Sequence, residues 1–499
     1  MSLHAELSSE ALERLHAQRR NSTISSIVIA LLTMVLVALI LGIFLLPSLV
    51  QETPTIVTYE ANLNEEADLE QKKVQTNVTR KPSSPTESLA KVIVANTSAP
   101  TAVQSPDVDV STPLMDFGEV EIDSNWGTPE TSAFGNVPAT MKKRCSLEDR
   151  LARLQETGGT KECEDAVVRS LNWFKSTQSA DGSWGSPKPA MTGLALLAFL
   201  GHCETPLSKD YGDTVLRAIT YLVDLGMKTN GKLASNLTSN SWPYEHAIAT
   251  YALAEASTFC KQGKINVPNL FEVTQKAGQF IIDNQHNDGG WAYLYSTAKT
   301  GGERGAHVDS SVTAWQVQAL KACHHTGLEF KALNRASNKA MSYIESLQSK
   351  DGGFGYTNAN EKPHADGYHT MTGGCVLSLQ MFEKGSSSAA RKGAKYIEEN
   401  TKFDFNSKFS DLYGHYYEAQ VMMNRGGEQW KKYNSIFRDQ VLNNQNPDGS
   451  WKKPNKGTAT GIRAVAAAYV ENEVYRTALC TLMLEVYYRF LPGTGVGTR

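Results

Sequence analysis

The sequence predicts an all-α fold of about six helical hairpins, and three observations carry that prediction. Four phrases share one spacing: Gln178 to Trp184 (QSADGSW), Gln285 to Trp291 (QHNDGGW), Gln348 to Phe354 (QSKDGGF) and Gln445 to Trp451 (QNPDGSW). In each, Asp-Gly makes a tight turn, because Asp bonds its own nearby backbone and Gly accepts a positive φ, and the aromatic supplies apolar area to pin the next helix. Before each phrase runs an amphipathic helical pattern, as in Val167, Leu171 and Phe174 or Ala277, Phe280 and Ile281; after it runs an almost wholly apolar one, as in Met191 to Leu200, Val312 to Ala322 and Cys375 to Phe382. A helix with one apolar stripe can face water, whereas one apolar all round is buried, so outer helices alternate with inner ones.

The N-terminal part of the chain has a different character. From Ile27 to Leu46, 20 residues carry no charge. As a helix at ~1.5 Å per residue they span about 30 Å, one bilayer crossing. The run exceeds the apolar core of a secretory signal, and no small-residue cleavage site comes after it. Arg14, Arg19 and Arg20 precede the run, and Glu52, Glu60, Glu65, Glu66, Asp68 and Glu70 come after it. Positive charge stays inside. The expectation is a cytoplasmic N-terminus over 1–26, a single transmembrane helix over 27–46, and everything later outside the cytoplasm, periplasmic or extracellular.

From 47 to 145 the chain reads as a disordered Pro/Ser/Thr-rich extracytoplasmic linker. Between Gln51 and Thr140 the aromatics are Tyr59, Phe117, Trp126 and Phe134, too few to bury a core. The folded domain is expected over 146–492, with a short tail at 493–499. Hairpins without a phrase fit Val215 to Ser257 and Ala394 to Met423, which brings the total to six. Each such unit buries its apolar face only against its neighbours.

Composition excludes little else. With 499 residues, 41% hydrophobic and 20% charged, the chain has an ordinary globular make-up, and a net charge of -3 without a dense Lys/Arg stripe argues against nucleic acid as a partner. The cysteines number seven, so at least one is unpaired in any intramolecular scheme, and Cys145 with Cys163 is the pair to test for a disulfide.

The Gln-x-x-Asp-Gly-x-Trp phrases, each leading into a buried helix, resemble the repeats of squalene and oxidosqualene cyclases and the related repeats of protein prenyltransferase β subunits. The resemblance spans about Ser146 to Pro492. It implies an α/α toroid whose inner helices enclose a cavity for an isoprenoid chain, with lining aromatics such as Tyr413, Tyr416 and Tyr417 able to stabilise a carbocation by their π faces. In the cyclases an Asp-rich motif, Asp-x-Asp-Asp-Thr-Ala, supplies a strong acid. Here the corresponding stretch is Asp309-Ser310-Ser311-Val312-Thr313-Ala314, which keeps Asp309, Thr313 and Ala314 and lacks two carboxylates.

The prenyltransferases instead hold zinc with an Asp and a Cys two apart and with the His of a Tyr-His-Thr stretch. Asp309 and Asp366-Gly367-Tyr368-His369-Thr370 match that pattern, but Ser311 stands at the Cys position. A neutral hydroxyl is a poor zinc ligand, so Asp309 and His369 are the metal candidates that remain, and no cofactor is expected. Gly426-Gly427-Glu428-Gln429 resembles the thioester run of complement-like toroids without its Cys.

Polar residues recur at the starts of the inner-helix patterns: Glu245 and His246, His307 and Asp309, Asp366 and His369, Asp411 and His415. Helix capping accounts for such a recurrence. The functional reading has them converge on one mouth, with Asp309, His369 and His415 as catalytic candidates and His246, His307, Asp366, Tyr368, Asp411 and Tyr413 as ligand-binding ones. The favoured reading is a membrane-anchored toroid that binds an apolar small molecule or a protein without the superfamily's chemistry. The alternative is an isoprenoid- or lipid-modifying enzyme, cyclase- or prenyltransferase-like, with a noncanonical site.

Overall fold

Each phrase forms the same turn. Asp448 Oδ1 accepts from Ser450 N at 3.0 Å, Gly449 takes φ +98°, and the indole of Trp451 donates back to Val441 O at 2.8 Å, on the helix just ended. Trp184 and Trp291 donate likewise to Phe174 O and Ile281 O, each at 2.8 Å. A threonine of the following helix accepts from the aromatic's backbone N–H: Thr192, Thr313, Thr372 and Thr477 in turn. The aromatic is thus tied to both helices of its hairpin, and burial of its ring seals the corner.

The computed structural model describes residues 144–295, 307–363, 367–458 and 472–489. The expected transmembrane helix, nearly all of the linker, the C-terminal tail and Asp366 lie outside them. Among the described residues no helix is long and apolar enough to cross a membrane.

The described residues form fourteen helices: α1 (Leu147–Thr157), α2 (Lys161–Thr177), α3 (Lys188–Gly201), α4 (Gly212–Lys228), α5 (Trp242–Gln262), α6 (Leu270–Asp283), α7 (Ser310–His325), α8 (Leu333–Ser346), α9 (Thr372–Met381), α10 (Ser388–Asn400), α11 (Leu412–Arg425), α12 (Gly427–Leu442), α13 (Glu473–Leu484) and α14 (Val486–Arg489). Six hairpins run α2–α3, α4–α5, α6–α7, α8–α9, α10–α11 and α12–α13. The inner helices α3, α5, α7, α9, α11 and α13 pack each on the next, and α13 packs on α3, so the ring closes as an α/α toroid. Helix α3 buries every residue from Pro189 to Gly201, as an inner helix apolar all round should.

A small antiparallel pairing of β1 (Trp291–Ala292) with β2 (Val308–Asp309) sets Trp291 opposite Asp309. The second phrase therefore holds the one surviving acid of the motif in register, and Tyr343 Oη adds a bond to Val308 O at 3.0 Å.

The opposite end of the ring is closed by charge. Arg144, just before α1, and Arg489 of α14 each lie 2.7 Å from one oxygen of Glu255 on α5, and Arg489 also donates to Tyr251 Oη at 3.0 Å. Burial opposes the charge of Glu255, yet the two guanidiniums hold its pKa below the usual value. Arg150 and His202 bracket Glu164 at 2.7 and 3.0 Å. Chain entry and exit are thus locked together beneath the cavity.

The structure pairs Cys145 with Cys203, not with Cys163. Cys163 is fully buried in α2 beside Tyr487, whereas Cys203 sits exposed enough, just past the end of α3, to meet the segment entering α1. The remaining five cysteines are free and buried.

Candidate functional site

At the N-terminal ends of the inner helices lies a cavity of about 560 Å³. Its apolar wall includes Met191 and Ile248 from α3 and α5 and Trp315 from α7, with Phe354 from the fourth hairpin's turn. Below them Trp315 stacks on Tyr416 at 5.5 Å, and Tyr417 packs edge-on against Tyr413 at 5.1 Å. Volume and lining suit a small apolar ligand with few polar anchors.

Asp309 sits behind this wall, fully buried. It caps α7: Oδ1 accepts from Ser311 N, Val312 N and Ser311 Oγ at 2.9, 2.9 and 2.8 Å. Oδ2 accepts no well-formed hydrogen bond among the described residues. Burial pushes the carboxyl up to about 6, against the opposing pull of its cap bonds and of the Tyr356 hydroxyl.

Four phenols cover the acid. Tyr244 Oη bonds Ser311 Oγ and lies 3.2 Å from Tyr293 Oη, Tyr293 lies 2.7 Å from Tyr356 Oη, and Tyr413 Oη donates to Ser311 O at 3.4 Å. All four line the cavity. Burial first, and the charge of Asp309 second, push the phenols of Tyr244 and Tyr356 well above their ordinary value, so both keep their protons.

The other polar candidates separate into two groups. His369, Tyr368, Tyr413 and Glu245 reach the cavity wall. His369 Nε2 faces Asp351 Oδ2 of the third phrase at 3.5 Å, and Tyr368 donates to the buried Glu418 at 2.5 Å. His415 instead stacks on Phe403 at 3.9 Å and bonds Tyr433 at 3.1 Å, in the packing between α11 and α12. His246 accepts from Leu233 N at 3.0 Å and contacts Ala277 O at 3.2 Å; burial lowers it to about 3, so it stays neutral. Asp411 caps α11 through Gly414 N, and His307 is exposed. Recurrence at helix starts therefore reflects capping for Asp309 and Asp411, and only part of the set shares one cavity.

A zinc ion does not fit what remains. Ser311 holds its hydroxyl between Asp309 and Tyr244, His369 is turned to Asp351, and no three His, Cys, Asp or Glu side chains cluster among the described residues. The residues that sequence reasoning overlooked are Tyr244, Tyr293 and Tyr356. They come from three hairpins, and only the closed ring brings them together.

No family model matches the chain. Two curated relatives do: a probable squalene–hopene cyclase of Sinorhizobium fredii, 26% identical over 215 residues, and a squalene–hopene cyclase of Zymomonas mobilis, 22% identical over 292 residues. The matches cover 40% and 49% of this chain and 32% and 40% of the relatives. Over part of its length the chain is similar in sequence to members of the terpenoid cyclase superfamily.

Solved superfamily structures similar to the chain include the type II terpene cyclase MstE from Scytonema, in complex with merosterolic acid A and with geranylgeranyl dihydroxybenzoate. Their TM-scores are 0.42 and 0.41 at 10% and 11% identity, covering 69% of this chain and 99% of each neighbour. The chain thus matches less than half the length of the curated superfamily members.

Proposed function

We propose that the toroid binds an apolar-chain small molecule in its aromatic cavity and does not cyclise it. The observation that carries this reading is the cavity itself: about 560 Å³, with an apolar wall of Met191, Ile248, Trp315 and Phe354 beside its tyrosines and a set of polar groups that includes Glu245, Lys362 and His369. Asp309 argues against cyclisation. Ser311 and Val312 bring it no second carboxylate, and an acid at about 6 is too weak to protonate an isolated alkene.

We propose further that residues 27–46 anchor the chain in a membrane and hold the toroid outside the cytoplasm. The uncharged run supports the anchor, and the Cys145–Cys203 disulfide supports an oxidising compartment. The toroid then meets ligand near a lipid surface, with no metal taking part.

Native mass spectrometry of the full chain purified in detergent tests the binding reading. A stoichiometric apolar adduct, or one formed on adding geranylgeraniol, supports it; a chain that carries and takes up nothing contradicts it. A second reading rests on Oδ2 of Asp309, which accepts no well-formed hydrogen bond among the described residues and lies on a buried carboxyl whose pKa is raised toward neutrality. Conversion of squalene by the wild-type chain and not by Asp309→Asn would establish that reading in place of the first.

A further inference from the structure

We propose that Glu245 is the counter-ion of a cationic ligand, and that the cavity takes an apolar chain ending in an ammonium group. The proposal rests on the reading of the cavity as an apolar-ligand site and names the charge of the polar end it takes.

Glu245 lies in the first turn of α5, where a carboxylate suits the helix dipole. The dipole would be served as well by an exposed side chain, yet Glu245 is only 4% exposed and lines the cavity. Its Oε2 accepts from Ser235 N at 2.8 Å, which ties the preceding loop to α5. Burial raises the pKa of this carboxyl, and what opposes burial is the N–H and hydroxyl of Ser235, with no cation among the groups that act on it. A buried carboxylate met by hydrogen bonds alone is short of a counter-ion.

The rings around it supply the second observation. Eight of the twenty lining residues are Tyr, Trp or Phe, and they come from five of the six hairpins. Tyr244 adjoins Glu245 on α5, Tyr293 and Trp315 belong to the third hairpin, Phe354 and Tyr356 to the fourth, and Tyr413 to the fifth. The face of an aromatic ring is negative, so rings set around a space attract a cation and still accept an apolar chain.

The other charged groups of the wall leave this arrangement intact. Lys362 is exposed, and it directly follows the half-buried Glu361, whose Oε2 accepts from Tyr356 N and Thr357 N at 2.7 Å each. His369 Nε2 faces Asp351 Oδ2 at 3.5 Å. Ser241 and Thr370 are neutral, and a hydroxyl oxygen can receive from an ammonium as well as donate. Deeper in, Glu245 and the Asp309 carboxyl behind the tyrosines set the sign. An alcohol of the same chain fills the same space without compensating either, and a phosphate head is repelled by both.

The test is equilibrium binding to the full chain in a nonionic detergent at pH 7, monitored by tryptophan fluorescence. Geranylgeranylamine, protonated there as a lysine is, and geranylgeraniol are the matched probes. The amine is expected to bind at least about tenfold tighter, the combined effect of ring faces and a buried carboxylate on one charge. Glu245→Gln, which keeps an oxygen for Ser235 N, is expected to bring the amine down to the alcohol's affinity and to leave the alcohol's in place. Alcohol binding as tight as amine on the wild type overturns the proposal and leaves the cavity reading standing, as does an amine preference that survives Glu245→Gln. Binding of neither probe overturns the cavity reading and the proposal with it. Should Glu245→Gln fail to fold, the trimethylated ammonium of the same chain decides on the wild type. It donates no hydrogen bond, so tighter binding than the alcohol supports recognition of charge, and binding no tighter than the alcohol overturns it.

Discussion

Gln445 in the last hairpin donates from Nε2 to the carbonyl of Ala166 in the first, at 2.8 Å. The equivalent glutamines reach forward in the same way: Gln178 to Thr214 O, Gln285 to Ala336 O and Gln348 to Ala389 O, each at the start of the next outer helix. Gln445 is the staple that joins the end of the ring to its beginning. Gln445→Ala leaves the carbonyls of Ala166 and Gly449 without this donor and is expected to cost about 1–3 kcal/mol in urea denaturation. Gly449→Ala is expected to cost more, since its Cβ would sit 2.2 Å from Arg169 O at a φ of +98°.

The disulfide closes a stretch with a sequence separation of 58 between Cys145 and Cys203. Loop entropy for such a length predicts a contribution of about 4 kcal/mol. Reduction is expected to lower the melting temperature measurably, and Cys145→Ser with Cys203→Ser to reproduce the loss without reductant. Peptide mapping without reduction checks the pairing.

Glu255 balances Arg144 and Arg489 inside the ring. Glu255→Gln leaves two buried guanidiniums without their carboxylate, a loss of about 3–5 kcal/mol expected in the same denaturation assay. A double variant with Arg144→Met is expected to recover part of it, because the cost lies in the unbalanced charge.

The pH dependence of stability carries the mark of Asp309. Its carboxyl titrates near 6 in the folded chain and near 3.9 when unfolded. The folded state therefore holds the proton more tightly, so this stabilisation is complete below pH ~4 and is lost as pH rises to about 6. The difference between the folded and unfolded carboxyl is equivalent to about 3 kcal/mol. Wild type is expected to lose that much relative to Asp309→Asn between pH 4 and pH 7, measured by urea denaturation of both chains; other groups are common to the two and cancel.

The parts of this fold legible in the sequence are those set by neighbours in the chain. Asp-Gly turns, the aromatic two residues later and the switch from striped to wholly apolar helices lie within a few residues of one another, and they place four of the six hairpins; helical patterning alone places the other two. The reach of Gln445 to Ala166, the Cys145–Cys203 bond and the Arg144–Glu255–Arg489 lock join residues far apart in sequence, and nothing local announces them. The same holds at the cavity. Asp309 stands out by its motif, whereas Tyr244, Tyr293 and Tyr356 lie in three separate hairpins, and no motif links them. His246 and His415 show the reverse error: polar residues at helix starts that serve packing.

The central claim is that the cavity under Tyr244 and Tyr413 takes up an apolar chain. Ala190, at the cavity wall on α3, offers the direct test, since Ala190→Phe puts a ring into the space and leaves Asp309 and the tyrosines themselves unsubstituted. Geranylgeraniol titrated into the two full-length chains is expected to bind the wild type at least tenfold tighter than Ala190→Phe, with melting temperatures close together. Equal affinity for both folded chains would contradict the claim and place the ligand elsewhere.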